Sequence, residues 1–308
     1  MVVTRAGSNG RFDAAEMELT PPDGRDDSFA QAREAIAAVV GKRAKKSNKT
    51  RRKSGKALAQ LRVAVELPLA SASPSAVLGM VAGACGGGTV GTAVYGDEAV
   101  ATAAAGETSP ASCGIREHVT LDQALSGVEW CDLARGEGAV ALVGIGEDQL
   151  GAARRVAELS GGRPVVGVNV EWEHAGDGGV TFRNTRPDDA PAANPDEVFA
   201  NSFSVVYSYL PLAIQGLMGA TQEGAVFKCV RGGAPEGSPW RILVKDDAGV
   251  YQQVGAMQRR PEQADLENAM YNAAAAKSPV NKGIGVFRGL ADKAKGSIPN
   301  PLDMLGKK

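Results

Sequence analysis

Apolar positions recur along the chain in two distinct periods. From Ser28 onward Phe29, Ala32, Ile36, Val39 and Val40 fall at helical spacing with Ser28 placed to cap, which predicts a helix ending near Gly41. Short apolar runs then follow at Leu61–Pro68, Val90–Tyr95, Ala139–Ile145, Pro164–Val170, Ser202–Tyr209, Ala225–Val230, Trp240–Lys245 and Val250–Met257. Each has the length and the flanking turn residues of a strand. Between the early runs lie helix-like segments, Ser75–Ala84, Leu121–Leu133 and Asp148–Leu159. Parallel strands need a long return connection that a helix can fill, so this alternation predicts a mostly parallel sheet with crossover helices. The later runs are separated by turn signals such as Gly232-Gly233 and Asp247-Ala248-Gly249, and these strands are expected antiparallel at the sheet edge. The expected class is α/β, Rossmann-like and three-layered.

After Arg260-Pro261 another helix is expected, with Leu266, Met270 and Ala273 on one face and Glu262, Asp265 and Glu267 near its start. The domain is expected to span residues 27–277. Residues 1–26 mix Gly, Pro, Asp and Glu without apolar periodicity and read as a disordered leader. Met1 to Ala6 is basic and free of acid, like the remnant of a transit peptide. Residues 278–308 read as a basic, Gly/Pro-punctuated tail with a short helix near Val286–Ala294.

Composition narrows the function classes. The 34 basic and 35 acidic residues of the 308 leave a net charge of −1, which argues against wholesale nucleic-acid binding. No run of about 18 uncharged apolar residues exists for a membrane-spanning helix. Cys85, Cys113, Cys131 and Cys229 form no C-x-x-C pair and only His118 and His174 accompany them, so neither a metal site nor a disulfide framework is expected. Nine basic residues stand between Lys42 and Lys56, Lys45, Lys46, Arg51 and Arg52 among them. The run is expected to be a solvated loop that could contact acidic lipid head groups. It holds no aromatic residue for base stacking, and no specific nucleic acid is expected.

Three constellations could carry chemistry. Gly144-Ile145-Gly146 stands between a strand and a helix, where a dinucleotide-binding loop places its glycines, but Gln149 replaces the third glycine and Glu147 and Asp148 would repel a phosphate. With Asn169 these glycines are the candidate cofactor-binding residues, although no cofactor is expected. Trp172 and His174 lie just past the fourth strand, at a carboxyl end where open sheets take ligands, and Glu171 and Glu173 flank the tryptophan. In the third, alternation puts Val226, Lys228 and Val230 on one strand face and Phe227, Cys229 and Arg231 on the other. With Arg241, Arg259 and Arg260 they suggest a basic groove for an acidic ligand or partner, or else cationic protection of an edge strand. No catalytic residues and no metal ligands are assigned.

Beyond these patterns the chain resembles a known family. Asn201–Leu212 (NSFSVVYSYLPL), Glu223–Lys228 (EGAVFK), Ser238–Leu243 (SPWRIL) and Arg259-Arg260-Pro261 with Leu266-Glu267 occur in order, preceded by Ser28–Ala32 and by Arg163–Val166 with Asn169 and Trp172. The series is similar to a family of plant and algal plastid proteins classed as a domain of unknown function. The resemblance spans roughly residues 28–277. It includes the low photosystem II accumulation proteins, chloroplast factors that help chlorophyll-binding core subunits assemble, and the domain that follows the kinase domain of a plastid adenylate kinase. The resemblance implies a chloroplast protein of the stroma or thylakoid surface. Its implied role is to assist assembly or stability of a thylakoid complex by binding a membrane protein, photosystem II core subunits foremost. Kinase activity does not transfer, because no kinase domain is read in this chain. The alternative expectation is an enzyme or sensor for a nucleotide or phosphorylated metabolite.

Overall fold

The computed structural model describes residues 20–54, 60–68, 73–84, 90–107, 115, 117–127, 133, 138–170, 172, 194–215, 221–231 and 237–277, and for 41–54, 74–75, 83–84, 90, 214–215, 221 and 274–277 the backbone only. Its elements run α1 (Arg25–Ser54), β1 (Arg62–Glu66), α2 (Pro74–Ala84), β2 (Val90–Tyr95), α3 (Glu98–Glu107), β3 (Glu117–Thr120), α4 (Leu121–Ser126), β4 (Ala139–Val143), a 3-10 turn at Glu147–Gln149, α5 (Leu150–Leu159), β5 (Val165–Val168), α6 (Pro195–Asn201), β6 (Ser204–Gln215), β7 (Thr221–Cys229), β8 (Trp240–Lys245), β9 (Tyr251–Met257) and α7 (Gln263–Lys277).

The nine strands form one sheet in the order β3-β2-β4-β5-β1-β6-β7-β8-β9. From β3 to β6 neighbours are parallel, and β6 to β9 pair antiparallel, so the α/β class with an antiparallel edge is observed. The chain first steps from β1 to β2 to β3 and then reverses through β4, β5 and β6. Right-handed crossovers demand opposite faces for the two directions of travel. Accordingly α2 and α3 bury Val77, Leu78, Val81, Ala101 and Ala104 on a first face together with α1. On the second face α4, α5 and α6 bury Leu121, Ala124, Ala153, Val156, Phe199 and Ala200.

Each central strand feeds both layers. Val63 and Val65 of β1 join the first core and Ala64 the second, while Ala141 and Leu142 of β4 divide in the same way. Strands covered on both sides become continuous apolar runs, which is why they were legible as such. Arg163 lies buried below them, donating from Nε to Gly138 O at 3.0 Å and from its terminal nitrogens to Leu133 O at 3.0 Å and Ala139 O at 3.1 Å. Its charge is spread over carbonyls that an entering strand would otherwise leave bare.

Several boundaries differ from expectation for identifiable reasons. Helix α1 continues through Ser54, so the basic run over 42–54 is helical rather than a loop. Lys and Arg are good helix formers, and a charge run alone does not end a helix. Strand β6 reaches Gln215, past Pro211, because β1 has stopped at Glu66 and a proline nitrogen is tolerated where no further ladder bond is required. Helix α4 ends at Ser126 on Gly127, whose φ of +68° closes it. The leader's first 19 residues, the tail beyond 277, His174, Lys56, Cys85, Cys113 and Cys131 lie outside the described residues.

Candidate functional site

Open α/β sheets take ligands at carboxyl ends where neighbouring strands send their chains to opposite faces. Two such places occur here. Between β2 and β4 the chain leaves Tyr95 toward α3 on the first face and leaves Val143 toward α5 on the second. Here Gly144, at φ +58°, turns the chain, and its N–H donates to Val168 O at 3.1 Å. Gln149 spans the gap: its Oε1 accepts from the Gly146 N–H at 3.3 Å, and its Nε2 donates to Gly96 O at 2.8 Å. A Cβ at Gly96 would collide with Gln149 Oε1 and stand 2.7 Å from Gly144 O. Glycine is therefore required by the close approach of the two strand ends, and the residue that breaks the expected third glycine is the one that fills the crevice. Asp97, Glu98, Glu147 and Asp148 lie exposed around it, a negative rim that disfavours a phosphate.

The second crevice lies between β5 and β1. Asn169 follows β5 at φ +47°, a left-handed conformation that asparagine tolerates better than other side chains. Its N–H donates to Val65 O at 3.0 Å, its Oδ1 accepts from the Leu67 N–H at 2.8 Å, and its Nδ2 donates to Leu67 O at 3.0 Å. The carboxamide thus extends the parallel ladder one step beyond the strands. Gly144 and Gly146 sit at the first crevice and Asn169 at the second; these candidates occupy neighbouring strand ends and do not share one cradle.

Residues from the other motifs converge beside the second crevice. At the end of β1, Glu66 accepts from Arg260 Nη1 at 2.7 Å and from Ser208 Oγ at 2.5 Å. A register shift between Ala64 and Val65 inserts one extra β6 residue, so Tyr207 pairs with Val65 and Ser208 with Glu66. The bulge turns Ser208 toward the carboxylate and sends Tyr207 to the first face. Ser208 in turn pairs with Lys228 of β7, whose Nζ lies 5.3 Å from the ring centroid of Trp240, and Arg260 Cζ lies 5.4 Å from the same ring. One indole therefore carries two cations, a geometry favoured by the ring quadrupole when the charges are shielded from water. Ser208 is fully buried, while Lys228 and Trp240 are each 4% exposed. The arrangement ties β1, β6, β7, β8 and the approach to α7 into one polar knot.

This placement corrects the expected basic groove. Lys228 and Arg260 meet on the second face, whereas Arg241 and Arg231 flank Cys229 on the first, and Arg259 pairs in solvent with Glu262 and Asp265 at 3.1 Å and 2.8 Å. The sheet separates them. Edge protection is also overturned for Lys228, since β7 lies between β6 and β8. Lys228 is buried and Arg260 is engaged with Glu66, whereas Arg231, just past β7, and Arg259 are exposed. Val230 joins the first-face core rather than the face of Lys228, because the strand has ended at Cys229. Trp172, expected on a ligand or partner surface past the fourth strand, is buried instead. It is 1% exposed and packs at 5.6 Å from Phe199 and 5.0 Å from Phe203, so its apolar area closes the second core. Lys45, Lys46, Arg51 and Arg52 ride on the second half of α1.

On the first face the Tyr207 hydroxyl meets Ser28 Oγ at 2.8 Å, and those of Tyr209 and Tyr251 meet at 3.1 Å. Burial holds the phenols of Tyr207 and Tyr209 well above their ordinary range, so both stay neutral hydrogen-bonding groups. Burial also pushes the Cys229 thiol up to about 11, against the pull of Arg231, which disfavours a reactive thiolate. A cleft of about 210 Å³ opens nearby between Pro22, Ser28, Phe29, Pro68 and Tyr209. Among the described residues no group of three or more His, Cys, Asp or Glu side chains could hold a metal ion, and no helix is long and apolar enough to cross a membrane.

Glu66 is the residue that sequence reasoning missed. Its partners are 142 and 194 positions away, and the only local signal was a carboxylate closing a strand whose middle three residues are apolar. No curated protein matches the chain. The family model described as a domain of unknown function (DUF1995) matches residues 22–268, a span that takes in the strand-end amides, the Glu66 knot and both helical layers, and the chain belongs to that family.

Proposed function

We propose that the protein is a chloroplast auxiliary factor, of the stroma or the thylakoid surface, that assists assembly or stability of a thylakoid complex by binding one of its membrane subunits, with a photosystem II core subunit as the first partner to test. The observation that carries the reading is the use made of the strand-end groups. Gln149 and Asn169 bridge the two crevices where a sheet of this type takes small ligands, and Glu66, Ser208, Lys228 and Arg260 hold the sheet together. Chemistry committed to the fold leaves recognition to the outer surfaces. The choice of complex rests on the resemblance of the ordered motifs to a family that includes the low photosystem II accumulation proteins.

The test follows newly made photosystem II core subunits by pulse labelling in cells lacking the protein. Labelled subunits are expected to enter the assembled complex more slowly and to co-purify with a tagged copy in wild-type chloroplasts. Assembly at the normal rate in the deletion would overturn the reading.

One observation favours a second reading, a nucleotide or phosphometabolite site. Gly144 adopts its left-handed turn where the strand order reverses, between β4 and α5. A ligand there at 100 times its dissociation constant would add about 2.7 kcal/mol of stability, readable as a melting shift. The bridging Gln149 and acidic rim favour the first reading, and the absence of any shift with nucleotides and sugar phosphates would remove the second.

A further inference from the structure

The geometry points to the second half of α1 as a one-sided, helical cationic arm that docks flat on an anionic phospholipid surface. The inference deepens the membrane-side placement just proposed and rests on it for its biological setting.

Helix α1 is one unbroken element of 30 residues made of two unlike halves. The first buries Ser28, Phe29, Ala32, Ala35, Ile36, Val39 and Val40 against the first face. The helical line through Phe29, Ala32, Ile36 and Val40 then continues into Arg43, Ser47, Thr50 and Ser54, so the apolar stripe stops at Val40 while the helix does not. At 1.5 Å per residue, the continuation from Gly41 to Ser54 adds about 20 Å.

The charge of this extension is all of one sign. Residues 42–54 hold eight basic and no acidic residues, and the remaining 26 basic and 35 acidic residues give the rest of the chain a net charge of −9. The helical repeat sets Lys42, Lys45, Lys46, Lys49, Arg52 and Lys53 along one side, within an arc of about 120°. Arg43 and Arg51 fall outside it. A helix lying in a nucleic-acid groove has phosphates on both flanks and needs cations on opposed sides, whereas a single stripe fits a flat layer of negative charge. Ala44 is the only apolar residue between Lys42 and Ser54, so the arm has no face to insert and binds by charge alone. The negatively charged remainder is repelled by the same surface.

The test is sedimentation of the full chain with phosphatidylglycerol/phosphatidylcholine vesicles against phosphatidylcholine alone. Binding is expected only with phosphatidylglycerol and is expected to disappear in high salt. The quadruple variant Lys45→Gln, Lys46→Gln, Lys49→Gln, Arg52→Gln is expected to lose about 5-fold in partitioning for each charge removed. Arg43→Gln with Arg51→Gln is expected to lose less than half as much per charge. Lys45→Arg, Lys46→Arg, Lys49→Arg keeps the charge and is expected to bind as wild type, so a quadruple variant that fails to fold leaves a readable result. Equal binding to neutral vesicles, equal loss per charge on the two sides of the helix, or tighter binding to duplex RNA than to phosphatidylglycerol vesicles would overturn the proposal. A failed vesicle assay leaves the photosystem II reading to the labelling experiment, and a normal labelling result leaves vesicle binding standing.

Discussion

The parallel and antiparallel halves of the one sheet solve the same problem with different materials. From β3 to β1 the inward positions are mostly Val, Ala and Leu; Thr92 of β2, bonded to Glu117, is a buried polar exception, and the other polar links stand at the strand ends, where Gln149 and Asn169 stitch neighbouring loops. From β6 to β9 polar and charged groups enter the layer itself: Ser208, Lys228 and Arg241 are all buried. The difference follows from the chain's route. Parallel strands are each covered by their own crossover helix, so apolar burial on both faces suffices to fix them. The antiparallel strands return by hairpins with fewer helices above them, and the Glu66 knot supplies the specific long-range contacts that set their register against β1. Ion pairs shielded from water are weak evidence of net stability, because desolvation offsets much of the attraction; their clearest effect appears when one partner is removed.

The largest test of this contrast is therefore in the parallel half. Leu142 of β4 is fully buried, and Leu142→Ala is expected to cost about 3 kcal/mol by lost transfer energy and the cavity left behind. Urea unfolding should give the same loss at low and high salt, since no charge is involved. A loss below about 1 kcal/mol would mean that the second-face core is loosely packed and the contrast is drawn in the wrong place.

Next comes the knot. Glu66→Gln removes the carboxylate from Arg260 and leaves Lys228 and Arg260 together on one indole. The side chains of Glu66 and Arg260 are 11% and 17% exposed, so partial solvent screening trims the expected cost to about 2 kcal/mol. Unlike the Leu142 change, this loss should vary with ionic strength. Adding Arg260→Gln should recover part of it, and a double variant that simply sums the two single losses would show that the pair is not coupled.

These two sites also divide what the sequence could reveal. Leu142 was legible because a doubly covered strand writes its burial as a continuous apolar run, and β2 and β8 also begin and end where the pattern placed them. Helix α3 and strand β3 were not, because Ala101 and Ala104 are small and the stretch around them has no apolar period. The knot was half legible. Ser208, Lys228, Trp240 and Arg260 all stand in the ordered motifs, but nothing local could show that a bulge in β6 aims Ser208 at Glu66 or that Arg260 reaches the same carboxylate. Lys228 was misplaced as an edge residue since strand order is a property of the whole topology and not of any one segment.

Smaller effects are expected at the stitched strand ends. Asn169→Ala loses two side-chain hydrogen bonds and strains a positive φ, which together amount to about 2 kcal/mol. Gln149→Ala loses two bonds, one of them long at 3.3 Å, with no positive φ to strain, and should cost about 1 kcal/mol. The ordering sharpens the comparison, because Asn169 borders β1, where the halves meet, and Gln149 lies wholly within the parallel half. Thermal melts of the two variants should preserve it; a larger cost at Gln149 would place the weak seam between β2 and β4.

The smallest expected effect lies at the far parallel edge. His118 on β3 is half-buried, its Nδ1 is 2.9 Å from the Tyr95 hydroxyl, and the two rings stack at 6.0 Å. Burial lowers its pKa below the ordinary 6.5 of a histidine. The unfolded chain therefore binds a proton at a pH where the folded one does not, and stability rises with pH across that interval. The contribution is complete above about pH 6.5 and is lost as the pH falls toward the folded value. Half exposure keeps it under about 1 kcal/mol. Unfolding from about pH 7.5 to about pH 5.5 should show His118→Gln flattening the acid side of the profile, with His174→Gln as the reference for the second histidine. A profile that His118→Gln leaves unchanged would mean that the β3 edge opens to water at little cost, and that the apolar packing of the parallel half ends at β2.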